Sequence, residues 1–317
     1  MQLNVITRKS AMMAILLLIV ILITSVVRYS FTPFEVELAD GVFSGGVLLK
    51  VLAMLAFLYC GIIEGKMLIR SGLNSSYSTL PMPIYGMLAC GVFVASDMLV
   101  AAATSLCFAV ALYLLLRSLH NAGEKDSVFF ASMLLGATAL IYPPSVVLFA
   151  VIPIAIFVLA LSLRQSMLML VGYLLPLFVA SYIVWYSGDS LLYFVQKITT
   201  ALLVPQMSEI GTVPYLAIAL VAAVVAILLW GLVYFMVRPS RTFILTRVRR
   251  AQHFFLLIFL LSLTMLLIPS CDLSACAVVA VPTTILLSYV LGVLPNNHSA
   301  IAYWALLAIF AAHLFVA

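Results

Sequence analysis

The residues best able to do chemistry in this chain are carboxylates placed where apolar sequence gives way to polar. The stretch Phe34-Glu35-Val36-Glu37-Leu38-Ala39-Asp40 sets Glu35 and Glu37 two positions apart, so in an extended segment they share one face. Hard cations such as Mg²⁺ or Mn²⁺ take oxygen ligands of this kind. Glu35 and Glu37 are therefore candidate ligands for a divalent cation and candidate catalytic carboxylates, although an ordinary solvated loop fits the same spacing. Asp97 stands alone between Val94-Ala95-Ser96 and Met98-Leu99-Val100. A carboxylate in such company sits at a membrane interface or lines a cavity, which makes Asp97 the third catalytic candidate. Lys50 is close enough in sequence to reach Glu35 or Glu37, or to snorkel to the interface.

Other reactive side chains form weaker patterns. Cys271 and Cys276 flank a short polar loop, and a disulfide between them is allowed if that loop faces an oxidising compartment. Spacing alone leaves its geometry open. Cys60, Cys90 and Cys107 lie in apolar runs, and His120, His253, His298 and His313 are too scattered for a zinc site. Arg238, Arg241, Arg247, Arg249 and Arg250 crowd a basic segment at 238–252. Beside an anionic leaflet each is worth about 1 kcal/mol, so they serve either as an orientation signal or as a lipid head-group site. No phosphate-binding glycine loop, nucleophile elbow or transporter-type repeat is present.

The elements that must hold these residues are set by composition. Of the 317 residues, 66% are hydrophobic and 8% charged, with a mean hydropathy of +1.30, whereas soluble domains carry about 25% charged residues. Apolar runs near the roughly 20 residues needed to cross a hydrocarbon core recur along the chain. Lipid cannot bond backbone amides, so spanning segments are helices or closed barrels, and unbroken Leu/Val/Ile/Ala runs favour helices over alternating barrel strands. The fold class is thus all-α, a polytopic transmembrane helix bundle forming a single integral membrane domain over 1–317. The net charge of +5 reflects membrane orientation and does not point to nucleic acid.

Eleven candidate spans follow: Ala11–Val27, Val47–Ile63, Leu80–Ala95, Met98–Leu116, Val128–Tyr142, Ser145–Leu161, Met167–Tyr186, Tyr215–Val237, Phe254–Ile268, Ala277–Leu294 and Ala300–Val316. The first lacks a small-residue cleavage site and reads as a retained span. With the amino terminus cytoplasmic and the carboxyl terminus periplasmic, twelve of the fifteen basic residues fall inside; Arg28, Lys50 and Lys197 are the exceptions. Cytoplasmic loops carry this excess in bacterial inner-membrane proteins. Seven of the ten acids fall outside, Asp272 among them, with Glu64, Glu124 and Asp126 inside. Acids contribute little to orientation, so their bias is a first pointer to function at the periplasmic face.

Three segments depart from simple spans. The hairpins Leu80–Leu116 and Val128–Leu161 each contain a short leg, the second turning at Pro143-Pro144, where proline ends a helix. Either hairpin is re-entrant beside a polar cavity or makes a tight turn with slight bilayer thinning. At 187–214, Leu191, Phe194, Val195, Ile198 and Leu202 recur at helical spacing against Gln196, Lys197, Thr199 and Thr200. That pattern describes a periplasmic interfacial helix, a connector in the simpler reading and a lid over a cavity in the other.

Three stretches carry a resemblance. Arg70-Ser-Gly-Leu-Asn-Ser-Ser-Tyr77 with Leu80-Pro81, Gly136-Ala-Thr-Ala-Leu-Ile-Tyr142-Pro143-Pro144-Ser145, and Arg164-Gln165 leading to Val171-Gly-Tyr-Leu-Leu-Pro176 resemble a family of multi-spanning inner-membrane proteins of Bacteroidota. Ile268-Pro269 and Val281-Pro282 extend the likeness, which implies an inner-membrane address and no particular activity. More remotely, paired acids in a first periplasmic loop followed by short helical hairpins are similar to membrane glycosyltransferases of the GT-C type. That likeness implies that Glu35 and Glu37 act, with a metal, on a polyprenyl-phosphate-linked sugar. The expected function is envelope biogenesis, with sugar transfer from a lipid-linked donor at the periplasmic face. The alternative is a non-enzymatic subunit or scaffold that holds an envelope protein partner; transport, which wants paired charges near the bilayer midplane, ranks third.

Overall fold

In a computed structural model, the residues described are 11–29, 35–38, 41–44, 47–71, 73, 79–91, 98–120, 125–188, 190, 192–203, 215–237, 246–268, 270–272 and 274–316. Among them are twelve α-helices: α1 (Ala11–Tyr29), α2 (Val47–Ser71), α3 (Pro81–Gly91), α4 (Met98–His120), α5 (Lys125–Ile141), α6 (Val151–Leu159), α7 (Leu163–Tyr186), α8 (Tyr193–Leu203), α9 (Tyr215–Val237), α10 (Thr246–Met265), α11 (Ala275–Val293) and α12 (Asn296–Val316). A 3₁₀ turn, Pro143–Ala150, leads into α6. Strands β1 (Glu35–Leu38) and β2 (Gly41–Ser44) form an antiparallel hairpin between α1 and α2.

Among the described residues four helices are long and apolar enough to cross a membrane, over Leu48–Ser71, Met98–Ser118, Leu163–Tyr186 and Ala275–Val293. Their burial separates their roles. In α11, 61% of the apolar stretch is packed inside the protein, against 17% in α7. Phe178 in α7 is 65% exposed, and a helix this apolar and this uncovered is solvated by lipid rather than water. Tyr182, Trp185 and Tyr186 gather at its carboxyl end, the kind of aromatic belt that marks a membrane–water interface.

α5 and α7 are held by close backbone approach. A side-chain carbon on Gly136 would meet the Tyr173 carbonyl oxygen at 2.2 Å, and one on Gly172 would meet Ser132 Oγ at 2.2 Å. Without a hydrophobic drive between helices in lipid, such small-residue contacts are what let helices pack. Both glycines come from the stretches that carry the family resemblance. α7 begins at a reciprocal cap: Ser162 Oγ accepts from the Gln165 amide, and Gln165 Oε1 accepts from the Ser162 amide, which satisfies two donors at the helix start.

The short hairpins resolve unequally. α3 has 11 residues, about 16 Å of helix at ~1.5 Å per residue, and residues 81–90 are all buried. It packs among α1, α2, α11 and α12. Its partner α4 runs for 23 residues. Glu64, which the sequence places just past a span ending at Ile63, lies instead within α2, because Gly65-Lys66-Met67-Leu68-Ile69 continue the helix.

Side-chain contacts tie specific helix ends together. Arg70 donates to Tyr113 Oη at 2.7 Å and stacks over its ring, joining the carboxyl ends of α2 and α4. Gln252 donates to Tyr289 Oη at 2.5 Å, joining the start of α10 to the end of α11. Trp230 meets His298 with ring centroids 5.4 Å apart, joining the end of α9 to the start of α12. A second set joins the end of α5, helix α8 and the α10–α11 loop.

Candidate functional site: a polar cavity beneath α8

That second set borders a polar concavity. Tyr142 follows α5 in an extended conformation (φ −132°, ψ 97°), to which the following proline confines it. The turn aims its hydroxyl at the α10–α11 loop. Tyr142 Oη donates to Asp272 Oδ1 at 2.5 Å and accepts from the Asp272 backbone amide at 3.2 Å. Ser274 Oγ donates to the other carboxylate oxygen at 3.0 Å. Asp272 is thereby fixed by a side chain 130 residues away. The Ser270 hydroxyl donates to the Ala201 carbonyl and ties the same loop to α8.

Between these parts lies an open cavity of about 520 Å³, lined by Tyr142, the Pro143-Pro144 corner, Tyr193, Gln196, Lys197, Thr200 and Asp272 among others. Lys197 is its one cation and Asp272 its one carboxylate, and among the described residues no ion pair closes them on each other. Gln196 and Thr200 stand beside Lys197 on α8. The apolar residues Leu192, Val195 and Leu203 on or beside α8 are exposed, as in a helix lying at a lipid surface. The helix that reads from sequence as a connector is thus also a wall of the cavity, together with the Pro-Pro corner.

The electrostatics keep both protons of this wall in place. Burial pushes the Tyr142 hydroxyl well above its usual range, and the Asp272 charge and Cys271 add to the shift. The Cys271 thiol is also raised, first by burial and further by the Asp272 charge, against a lowering contact from Tyr142. It is therefore not the thiolate nucleophile or metal ligand that a lowered value would make. The disulfide allowed by the sequence is not formed: Cys271 and Cys276 are both free, and Cys271 Sγ lies 3.5 Å from Tyr142 Oη.

Glu35 and Glu37 occupy β1, paired in register with Ser44 and Val42, but their side chains, like Asp97 as a whole, lie outside the described residues. Among the described residues, which leave out the Glu35 and Glu37 side chains, no group of three or more His, Cys, Asp or Glu side chains is gathered to hold a metal ion. Arg238 and Arg241 also lie outside the described residues; Arg247 opens α10, where Arg249 and Arg250 are exposed. Asp272 and Lys197 were legible only as one outward acid and one polar-face residue. The signals that point to them are the Tyr-Pro-Pro corner and the amphipathic α8 pattern. Neither a family model, nor a curated protein, nor a solved structure matches the chain.

Proposed function

We propose that the chain is an eleven-span inner-membrane protein of cell-envelope biogenesis whose α8 cavity binds the polar head of a lipid-linked substrate at the periplasmic face. The observation that carries this reading is the cavity itself: a lone lysine flanked by amide and hydroxyl donors, opposite a carboxylate held by two hydroxyls. Lys197, Gln196 and Thr200 suit a phosphate. Asp272, an acceptor held in place, suits a sugar hydroxyl or the proton of an attacking one. The exposed apolar face of α8 borders lipid, where a prenyl chain would run.

The topology belongs to the same proposal and has its own support. In the eleven-span threading, Arg70, Tyr113, Trp230, Gln252, Tyr289 and His298 fall at cytoplasmic ends, and Arg70 pairs with Tyr113, Gln252 with Tyr289 and Trp230 with His298. Tyr142, Ala201, Ser270 and Asp272 fall at periplasmic ends and pair likewise. One missed span in mid-chain would mismatch these sets.

Sugar transfer from a polyprenyl-phosphate donor is the reaction proposed for the cavity, with Asp272 in the role that sequence gave to Glu35, Glu37 and Asp97. The test is a thermal shift in detergent. Undecaprenyl phosphate should raise the melting temperature of the wild-type protein, neutral undecaprenol should not, and Lys197→Ala should weaken the phosphate effect at least about tenfold, the loss of one charge-assisted bond. Equal response to both lipids, or an unaffected Lys197→Ala variant, contradicts the reading. A stoichiometric protein partner retained through gentle purification, with no lipid response, supports the scaffold instead.

A further inference from the structure

A second polar centre lies inside the bundle, away from the α8 cavity. Glu64 is fully buried, at 0% exposure, about 10 Å of helix before the end of α2 at Ser71. Around it stand Cys60 on α2, Tyr85 on α3, Ser105 on α4 and Thr284 on α11. Each of these groups has already spent its proton. Thr284 Oγ1 donates to the Ala280 carbonyl at 2.7 Å. Tyr85 Oη donates to Ser105 Oγ at 3.1 Å, and Ser105 Oγ donates to the Ala102 carbonyl at 3.1 Å. The Cys60 thiol points to the Ser105 carbonyl at 3.7 Å.

Among the described residues neither oxygen of Glu64 has a hydrogen-bond partner. Thr284 is the one polar side chain acting directly on it, and its hydroxyl is directed to the Ala280 carbonyl. Cys60 and Tyr85 are coupled to it electrostatically. Lys66 and Arg70 on α2, Cys107 and Tyr113 on α4, and Tyr289 on α11 are not among the groups acting on it, and the described side chains of α1 include nothing titratable. A bare carboxylate with no donor and no cation is too costly at such a place. A carboxylic acid fits, since it leaves no charge unpaired and its own O–H can donate to a neighbouring oxygen.

We propose that Glu64, at the junction of α2, α3, α4 and α11, is an intramembrane proton-binding site, its ligand a single exchangeable proton taken up by the carboxylate. It is independent of the lipid-binding reading, because the two sites share no residue. A carboxylic acid in an apolar setting adds across a C=N bond of a hydrophobic carbodiimide: the carboxyl oxygen bonds to the central carbon and its proton passes to nitrogen. An ionised carboxylate lacks that proton. Dicyclohexylcarbodiimide should therefore modify Glu64 in the full-length protein in liposomes, as located by peptide mapping, with labelling that falls several-fold as pH rises from mildly acidic to alkaline. Glu64→Gln, an isosteric neutral stand-in for the acid, should keep the melting temperature and lose the adduct. Absence of an adduct on Glu64 at every pH, or labelling independent of pH, overturns the proposal. Peptide mapping of the wild type decides the matter even if the glutamine variant does not fold.

Discussion

At the residue scale, Tyr142 and Asp272 form one unit. Tyr142→Phe would leave Asp272 Oδ1 without its donor, at a cost of about 1–3 kcal/mol, read as a lower melting temperature. The same hydroxyl carries a pH signature. Its folded-state value lies above the ordinary 10.0, so the folded state keeps this proton where the unfolded chain gives it up. Its contribution is fully present below about pH 10 and is lost as pH rises further; the Tyr142→Phe variant should lack that alkaline component in a melting-temperature profile. A profile identical to wild type would remove Tyr142 from its assigned role. None of this pairing is visible in sequence, because the partners are separated by 130 residues and each alone looks ordinary. Glu64 was hidden for a different reason: an apolar run that ends at Ile63 suggests a helix end, while the helix itself continues to Ser71.

At the scale of elements, sequence periodicity and composition are most informative where helices face lipid. α7 and α8 were legible from their apolar runs and amphipathic spacing, and Pro143-Pro144 correctly marks a break. What stayed hidden is what surrounds each helix. α3 is buried over residues 81–90 among α1, α2, α11 and α12, so its apolar run reports a protein interior as much as a bilayer. The α5–α7 contact is the strongest test at this scale. Gly136→Val and Gly172→Val would each drive a side chain into a backbone or side-chain atom of the facing helix, an overpacking worth about 1–3 kcal/mol or more. Both should melt lower than wild type in detergent. Normal stability of both valine variants would contradict the close packing.

At the scale of the whole molecule, the apolar composition, the four long apolar helices and the exposed apolar face of α7 agree that this bundle is built for a bilayer. The charge bias adds a direction. An impermeant maleimide applied to intact cells should label Ser190→Cys, beside α8, and spare Arg250→Cys, on the opposite face of the eleven-span threading; the reverse pattern would invert it. In the proposed reading, the cavity beneath α8 is where lipid, interface and a fixed carboxylate meet. The most direct test is photo-crosslinking with a diazirine-bearing polyprenyl phosphate in liposomes, mapped by mass spectrometry. Crosslinks on α8 and at Tyr142–Pro144, competed by undecaprenyl phosphate and lost in Lys197→Ala, are the result expected. Crosslinks spread evenly over the lipid-facing surface of α7, with none at the cavity, would contradict it.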